Sequence, residues 1–235
     1  MTIQQTKTRK NRKQITERDQ YKLLPWIGEQ ECIREDHLQR LMGLYPQKST
    51  ARPGWVTART MRQRVNAWLD VRWPQVVRYK LYQGETARLW LTRWGLETAR
   101  LPYTYRRPKL VERDHFDAVN HVRLYLQAKY QAKREPFGWT SQRRLEYEQD
   151  TEDKTHLPDG VVKDAKGRAA VEVELTRKKI AIVRTNLRQL IRQYPSVWFF
   201  VKSNEIEKFI WERISELTPD QQKKCYVTHI DSIPL

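Results

Sequence analysis

Apolar residues recur along this chain in two rhythms, and the change from one to the other organises it. Over residues 16–44 and 57–70 they return every three or four positions, the period of a helix face. Thr16 with Asp19 three residues on is a capping pattern that opens a first helix, with Tyr21, Leu24 and Ile27 as its apolar stripe. A second helix is predicted over 34–44, turning Leu38, Leu41 and Met42 inward, and a polar loop with two prolines follows over 46–54. A third helix over 57–70 carries Met61, Val65 and Trp68 on one side and Arg59, Arg62 and Arg64 on others. Strand-like runs then cover 75–82 and 86–92, joined at Gln83-Gly84-Glu85 as a hairpin turn.

Beyond a proline- and arginine-rich stretch at 101–110 the pattern changes. A helix is predicted over 112–132 with Phe116, Val119, Val122, Leu126 and Tyr130 on its apolar face, and 139–148 reads as strand or irregular chain. Two strand runs follow, one opened by Pro158-Asp159 and one from Ala170 to Leu175. A basic helix over 176–194 has Ile180, Val183, Leu187, Leu190, Ile191 and Tyr194 on one side, and Arg177, Lys178, Arg184, Arg188 and Arg192 over much of the rest. Residues 197–201 are wholly apolar, as in a central strand covered on both faces. Asn204-Glu205-Ile206-Glu207 opens a last amphipathic helix, and 226–230 forms a final strand. This alternation predicts a mixed sheet with helices packed on it, an α/β half after an α+β half. The implied division is a basic arm at 1–14, a first domain at 15–100, a linker at 101–111 and a second domain at 112–235.

Three helices followed by a hairpin is the order of a winged helix-turn-helix. The competing reading is a small α+β domain whose arginines only keep it soluble. Charge bears on that choice: Lys and Arg outnumber Asp and Glu 45 to 28, for a formal net charge of +17 and a pI near 10.0. Such an excess attracts polyanions, double-stranded DNA first. On this reading Arg59, Arg62 and Arg64 contact DNA from the third helix, and Arg184 and Arg188 from the later basic helix. Lys7, Arg9, Lys10, Arg12 and Lys13 in the arm either follow the phosphate backbone or are simply solvated. An RNA-binding alternative is weaker, since no RNA-recognition motif is present. No apolar run reaches membrane-span length and the N-terminus lacks a signal-peptide core, so no membrane partner and a cytoplasmic setting are expected. Cys32 and Cys225 stand far apart without companion ligands, which fits buried free thiols rather than zinc.

The chemistry concentrates between Leu157 and Tyr194. Strand alternation sets Glu172 and Glu174 on one face, where Asp159 of a neighbouring strand would join them. Hard divalent cations such as magnesium favour such oxygen clusters, and beside a basic helix the arrangement suggests metal-assisted phosphodiester chemistry. The alternative is a turn aspartate and solvent-facing glutamates on an edge strand. His115, His121 and His156 are read as structural or surface residues, and Tyr194 and Trp198 as core aromatics.

On these residues the C-terminal half resembles the PD-(D/E)xK nuclease superfamily, the restriction-endonuclease-like fold. The chain from about Thr16 resembles replication-relaxation proteins of plasmids and other mobile elements. That second resemblance rests on the segment Leu91-Thr92-Arg93-Trp94-Gly95-Leu96, the helix start His115-Phe116-Asp117-Ala118-Val119-Asn120, Trp139, Pro158-Asp159, and the Val171-Glu172-Val173-Glu174 strand leading to Tyr194. The nuclease pattern of Asp on one strand and Glu-x-Lys on the next is matched by Asp159 and Glu172, which the resemblance makes magnesium ligands. Glu174 stands where the lysine belongs, and Lys178, read as one turn into the next helix, would reach back to assist. An additional acid is implied from Asp117 or Glu112, with Glu146 and Glu148 on the intervening segment. Two functions follow: a DNA-binding, magnesium-dependent endonuclease of a mobile element, or a non-catalytic DNA-binding accessory or regulatory factor with a degenerate nuclease fold that docks a protein partner.

Overall fold

The computed structural model describes residues 15–46, 55–149, 155–165 and 167–234. The basic arm, with Lys7, Arg9, Lys10, Arg12 and Lys13, lies outside the described residues, as does nearly all of the loop at 46–54. The architecture is mixed α/β with two sheets, in two compact units that part after Arg107. Residues Glu29–Ile33 belong to the second unit although the chain on either side belongs to the first.

In the first unit a π-helical segment, Asp19–Leu23, runs into α1 (Leu24–Glu29). The carboxylate of Asp19, fully buried, accepts from the amide and hydroxyl of Thr16 at 2.9 and 2.8 Å. The wider π turn adds a residue to the repeat. The stripe therefore shifts: Leu23, Leu24, Trp26 and Ile27 are buried, while Tyr21, expected inside, is 49% exposed. The short strand β1 (Ile33–Arg34) precedes α2 (Glu35–Leu44), which packs on α3 (Ala58–Leu69). Leu38, Leu41, Met42, Met61, Val65 and Trp68 are all buried, as their spacing predicts. Strands β2 (Val76–Tyr79) and β3 (Arg88–Leu91) form an antiparallel hairpin, and the sheet order is β1-β3-β2. At the hairpin tip Gly84 takes φ +94°, a conformation that costs a glycine little. A further helix that the pattern did not suggest, α4 (Arg93–Thr98), is capped by the Thr92 hydroxyl, which accepts from Gly95 N at 3.1 Å.

The second unit is built on a five-stranded sheet. Its first helix, α5 (Arg113–Lys133), is followed by β4 (Gly138–Ser141) and α6 (Gln142–Glu148). The segment read as strand or irregular chain is a strand only to Ser141; the rest is helix, and Ser141 makes the switch by accepting from Arg144 N at 3.1 Å as the N-cap of α6. Strands β5 (Gly160–Asp164) and β6 (Gly167–Glu174) complete an antiparallel meander with β4. Helix α7 (Ile180–Gln193) then crosses to β7 (Ser196–Val201), parallel to β6. Helices α8 (Asn204–Ile214) and α9 (Pro219–Gln222) lead to β8 (Cys225–His229), parallel to β7, and the sheet order is β4-β5-β6-β7-β8.

The basic helix starts later than its pattern indicated. Residues 175–179 are loop, so Lys178 lies before α7 and not one turn into it. Arg177, Lys178 and Lys179 would otherwise crowd three cations at the positive end of a helix dipole. Ile180, placed on the apolar side by its spacing, is 39% exposed at the helix start. Each sheet face has its own core. Val183, Leu187, Leu190 and Ile191 of α7 and Phe209 and Ile210 of α8 pack with Ala170, Val197, Phe199 and Val201. On the other face Val119, Val122 and Leu126 of α5 pack with Val162, Val171, Val173 and Phe200. Both cysteines are buried free thiols.

Candidate functional site

The β5–β6 ladder ends at the pair Gly160↔Val171, while β6 runs on to Glu174. The amide of Val173 lies past that last pair, and Asp159 satisfies it: Oδ2 accepts the Val173 N–H at 2.7 Å. Asp159 is thereby fixed beside the stretch of β6 that carries Glu172 and Glu174. Close packing supports the turn, because a Cβ on Gly160 would meet the Trp139 ring at 2.1 Å.

Alternation puts Glu172 and Glu174 on the face that also carries Ala170, and both are buried, 3% and 5% exposed. A solvent-facing edge strand does not describe them. Each carboxylate has a protein partner. His156 Nε2 donates to Glu172 Oε1 at 3.0 Å, His115 Nε2 donates to Asp159 Oδ1 at 2.8 Å, and Lys178 Nζ donates to Glu174 Oε1 at 2.8 Å. An ionised carboxylate only accepts, so toward Asp159 and Glu172 in that form both imidazoles present an N–H. The two histidines set aside from the sequence are therefore in the site. The only sequence signal was proximity, His156 standing three residues before Asp159 and His115 opening α5. His121, in contrast, bonds the carbonyl of Ile233 at 3.1 Å.

Burial and the facing charges shift most of these groups. Burial pushes the Glu172 carboxyl up, His156 opposes this, and repulsion from Asp159 adds to it, leaving the pKa at about 7. For Glu174 burial also outweighs the attraction of Lys178, and its pKa is raised. Burial pulls Lys178 and both imidazoles down, but the facing carboxylates outweigh that and hold all three above their ordinary values. These side chains sense one another across the site: Asp159 acts on both glutamates, and Lys178 on both histidines.

Other sequence candidates fall elsewhere. Asp117 is buried within α5, Glu112 pairs with Lys109 at 3.2 Å, and Glu148 pairs with Arg144 at 2.5 Å. Glu146 is exposed on α6. Arg59 and Arg62 are exposed on α3, whereas Arg64 reaches back to the buried Asp19 at 2.9 Å. Arg184 forms a two-pronged pair with Glu216, at 2.6 and 2.8 Å, and Arg188 is exposed on α7. Among the described residues no group of three or more His, Cys, Asp or Glu side chains is arranged to hold a metal ion, and no helix is long and apolar enough to cross a membrane. Compared with protein-family models, with curated proteins and with solved structures, the chain matches none of them.

Proposed function

We propose that this chain is a DNA-binding protein of a mobile genetic element, with a winged helix in the first unit and a restriction-endonuclease-like phosphodiesterase site in the second. The observation that carries the reading is the meeting of Asp159, at the start of β5, with Glu172 and Glu174 on β6, completed by the Lys178 ammonium. The order α5, three antiparallel strands, α7 and a parallel strand fits that fold. In the first unit, three helical segments followed by the β2–β3 hairpin, with Arg59 and Arg62 outward on α3, support a duplex-binding element.

Magnesium is the cofactor this reading implies. A buried glutamate whose pKa reaches about 7 although a histidine faces it has room for more positive charge, and a hard cation supplies that to carboxylate oxygens. Asp159 and Glu172 would hold the ion, which would activate water and stabilise charge on the phosphate. The chain's own groups have separate parts. His115 and the Val173 amide fix the Asp159 carboxylate, and His156 turns Glu172. Lys178, drawn to Glu174, brings a cation to the place where a phosphate gathers charge.

A second reading, a site retained for binding alone, is favoured by two observations: each of the three carboxylates already has a protein partner, and among the described residues no group of three is arranged to hold a metal ion. Supercoiled and linear DNA incubated with magnesium or manganese, and with chelator, separates the two. Metal-dependent nicking that disappears in Asp159→Ala and Glu172→Ala supports the nuclease. Duplex binding with no nicking under any condition leaves the binding-only reading.

A further inference from the structure

The opposite face of the same sheet carries a second feature. Helix α5 covers β5, β6 and Phe200 of β7 there, but Trp198 of β7 and Tyr226 of β8 are left accessible beside it. The result is a groove of about 490 Å³, within the range of ligand sites. Its floor follows from the register: Trp198 lies opposite Tyr226, and Phe200 opposite Thr228, so both pairs share one face. Tyr226 is 55% exposed, and Trp198, expected to be core, is only half-buried. Small residues, Ala169 and Ser196, occupy the end of the floor. Tyr125 and Lys129 form the α5 wall, with the lysine ammonium 5.5 Å from the tyrosine ring; Asp164 also lines the groove and accepts from the Tyr130 hydroxyl at 2.6 Å, while the Arg168 guanidinium lies over Tyr194 on the α7 side.

We propose that this groove binds single-stranded DNA, with unpaired bases stacking on Tyr226 and Trp198 and a phosphate meeting Lys129. Flat rings on adjacent strands offer a surface for the faces of bases, and a duplex keeps those faces stacked internally. The exposed Lys129 at the wall, in a chain of net charge +17, suits a polyanion rather than an apolar peptide. The hydroxyls of Ser196 and Thr228 give bases hydrogen-bond partners without demanding one sequence. The choice of DNA over RNA rests on the DNA reading above; the stacking argument does not. The groove gives the protein a means of holding a strand displaced from a duplex, on the sheet face away from Glu172 and Glu174.

The test is fluorescence polarisation of a labelled thymidine oligonucleotide of roughly 12 nucleotides with the full chain. Wild type is compared with Tyr226→Ala and Lys129→Ala, both at exposed positions, and melting confirms that each is folded. Tyr226→Ala should weaken the single strand about tenfold, and Lys129→Ala should weaken it less while making the salt dependence shallower. Duplex binding, which depends on Arg59 and Arg62, should be unchanged in both. Unchanged single-strand affinity in the folded variants overturns the groove assignment while leaving the duplex reading intact. Loss of all DNA binding by wild type overturns both. Tighter, groove-dependent binding of a uridine ribo-oligonucleotide overturns the choice of DNA. A concentration-dependent dimer abolished by Tyr226→Ala, with no effect on oligonucleotide, assigns the face to a second copy instead.

Discussion

Glu172→Gln should stabilise the cation-free protein above neutral pH and change it little in mild acid. The carboxylate is 3% exposed, and its pKa moves from 4.5 in the free group to about 7 in the fold. The folded value lies above the unfolded one, so the native state holds this proton more tightly. Its contribution is complete below pH 4.5, declines as the pH rises, and is lost above about 7. His156, raised by the same pairing, shifts stability in the same direction. At about 1.4 kcal/mol per pKa unit, ionised Glu172 costs about 3 kcal/mol near pH 8. Glutamine cannot ionise, but it gives up the charge-assisted part of the 3.0 Å bond from His156, on the order of 1 kcal/mol. The net gain is about 2 kcal/mol, or roughly 4–8 °C in melting temperature for a chain of this size. Thermal melts of wild type and variant in chelator, from about pH 5 to 8, measure it as the difference between the two proteins. Adding magnesium near pH 8 should raise the wild type and not the variant, because a cation relieves the ionised glutamate. A wild-type to variant difference that is the same at both ends of the pH range would refute the reasoning.

Arg59→Ala combined with Arg62→Ala should weaken duplex binding by roughly tenfold and flatten its salt dependence, with melting unchanged, because both side chains are exposed and off the Met61–Val65–Trp68 stripe. A folded double variant with wild-type affinity would remove α3 from the interface. Deleting residues 1–14 should weaken all DNA sequences about equally and make the salt slope shallower, as checked by titration at several ionic strengths. Weakening of one specific site alone would mean that the arm reads bases. Gly160→Ala should destabilise by about 1–3 kcal/mol, since the new methyl must displace an indole ring rather than a flexible tip. Nicking, where present, should fall with it, because Asp159 is the adjoining residue. Unchanged melting would show that the Trp139 ring yields freely.

What the sequence reveals is what a local period can encode. The stripes at Met61–Val65–Trp68 and Val183–Leu187–Leu190 predict buried faces because neighbours three and four apart share a side whatever the rest of the chain does. The two-residue alternation of Glu172 and Glu174 likewise fixes their common face. Burial is a different matter. An edge strand and a covered strand share the same alternation, and only the crossing of α7 shows that both glutamates are enclosed. Contacts over long sequence distances were out of reach. Glu29–Ile33 sits in the second unit, where Asn120 donates to the Cys32 carbonyl at 2.8 Å and Ser141 donates to Glu29. His115 meets Asp159 across 44 positions of chain, a distance no periodicity spans. Trp198 misled in the opposite sense: an apolar run reads as covered on both sides, yet coverage depends on where α5 ends its contact with the sheet.

Lys178 shows how a spacing rule and the chemistry behind it can part. In the resembled pattern the lysine stands two residues after the glutamate, on the same strand face. Here that place holds Glu174, which is 5% exposed and acidic. A buried carboxylate is costly without a partner, so the position that appears to break the pattern creates a demand for a cation. Lys178 meets it from the loop between β6 and α7, with Nζ 2.8 Å from Oε1. Because the lysine belongs to no helix, its backbone is free to follow the strand end rather than a helical register. On the proposed nuclease reading the site requires positive charge at one point in space, and a loop lysine drawn by a strand glutamate would supply it. The salt-bridged pair also ties the loop to the sheet. Charge placement and loop geometry in this site are thus one feature, and a search restricted to fixed residue intervals passes over it.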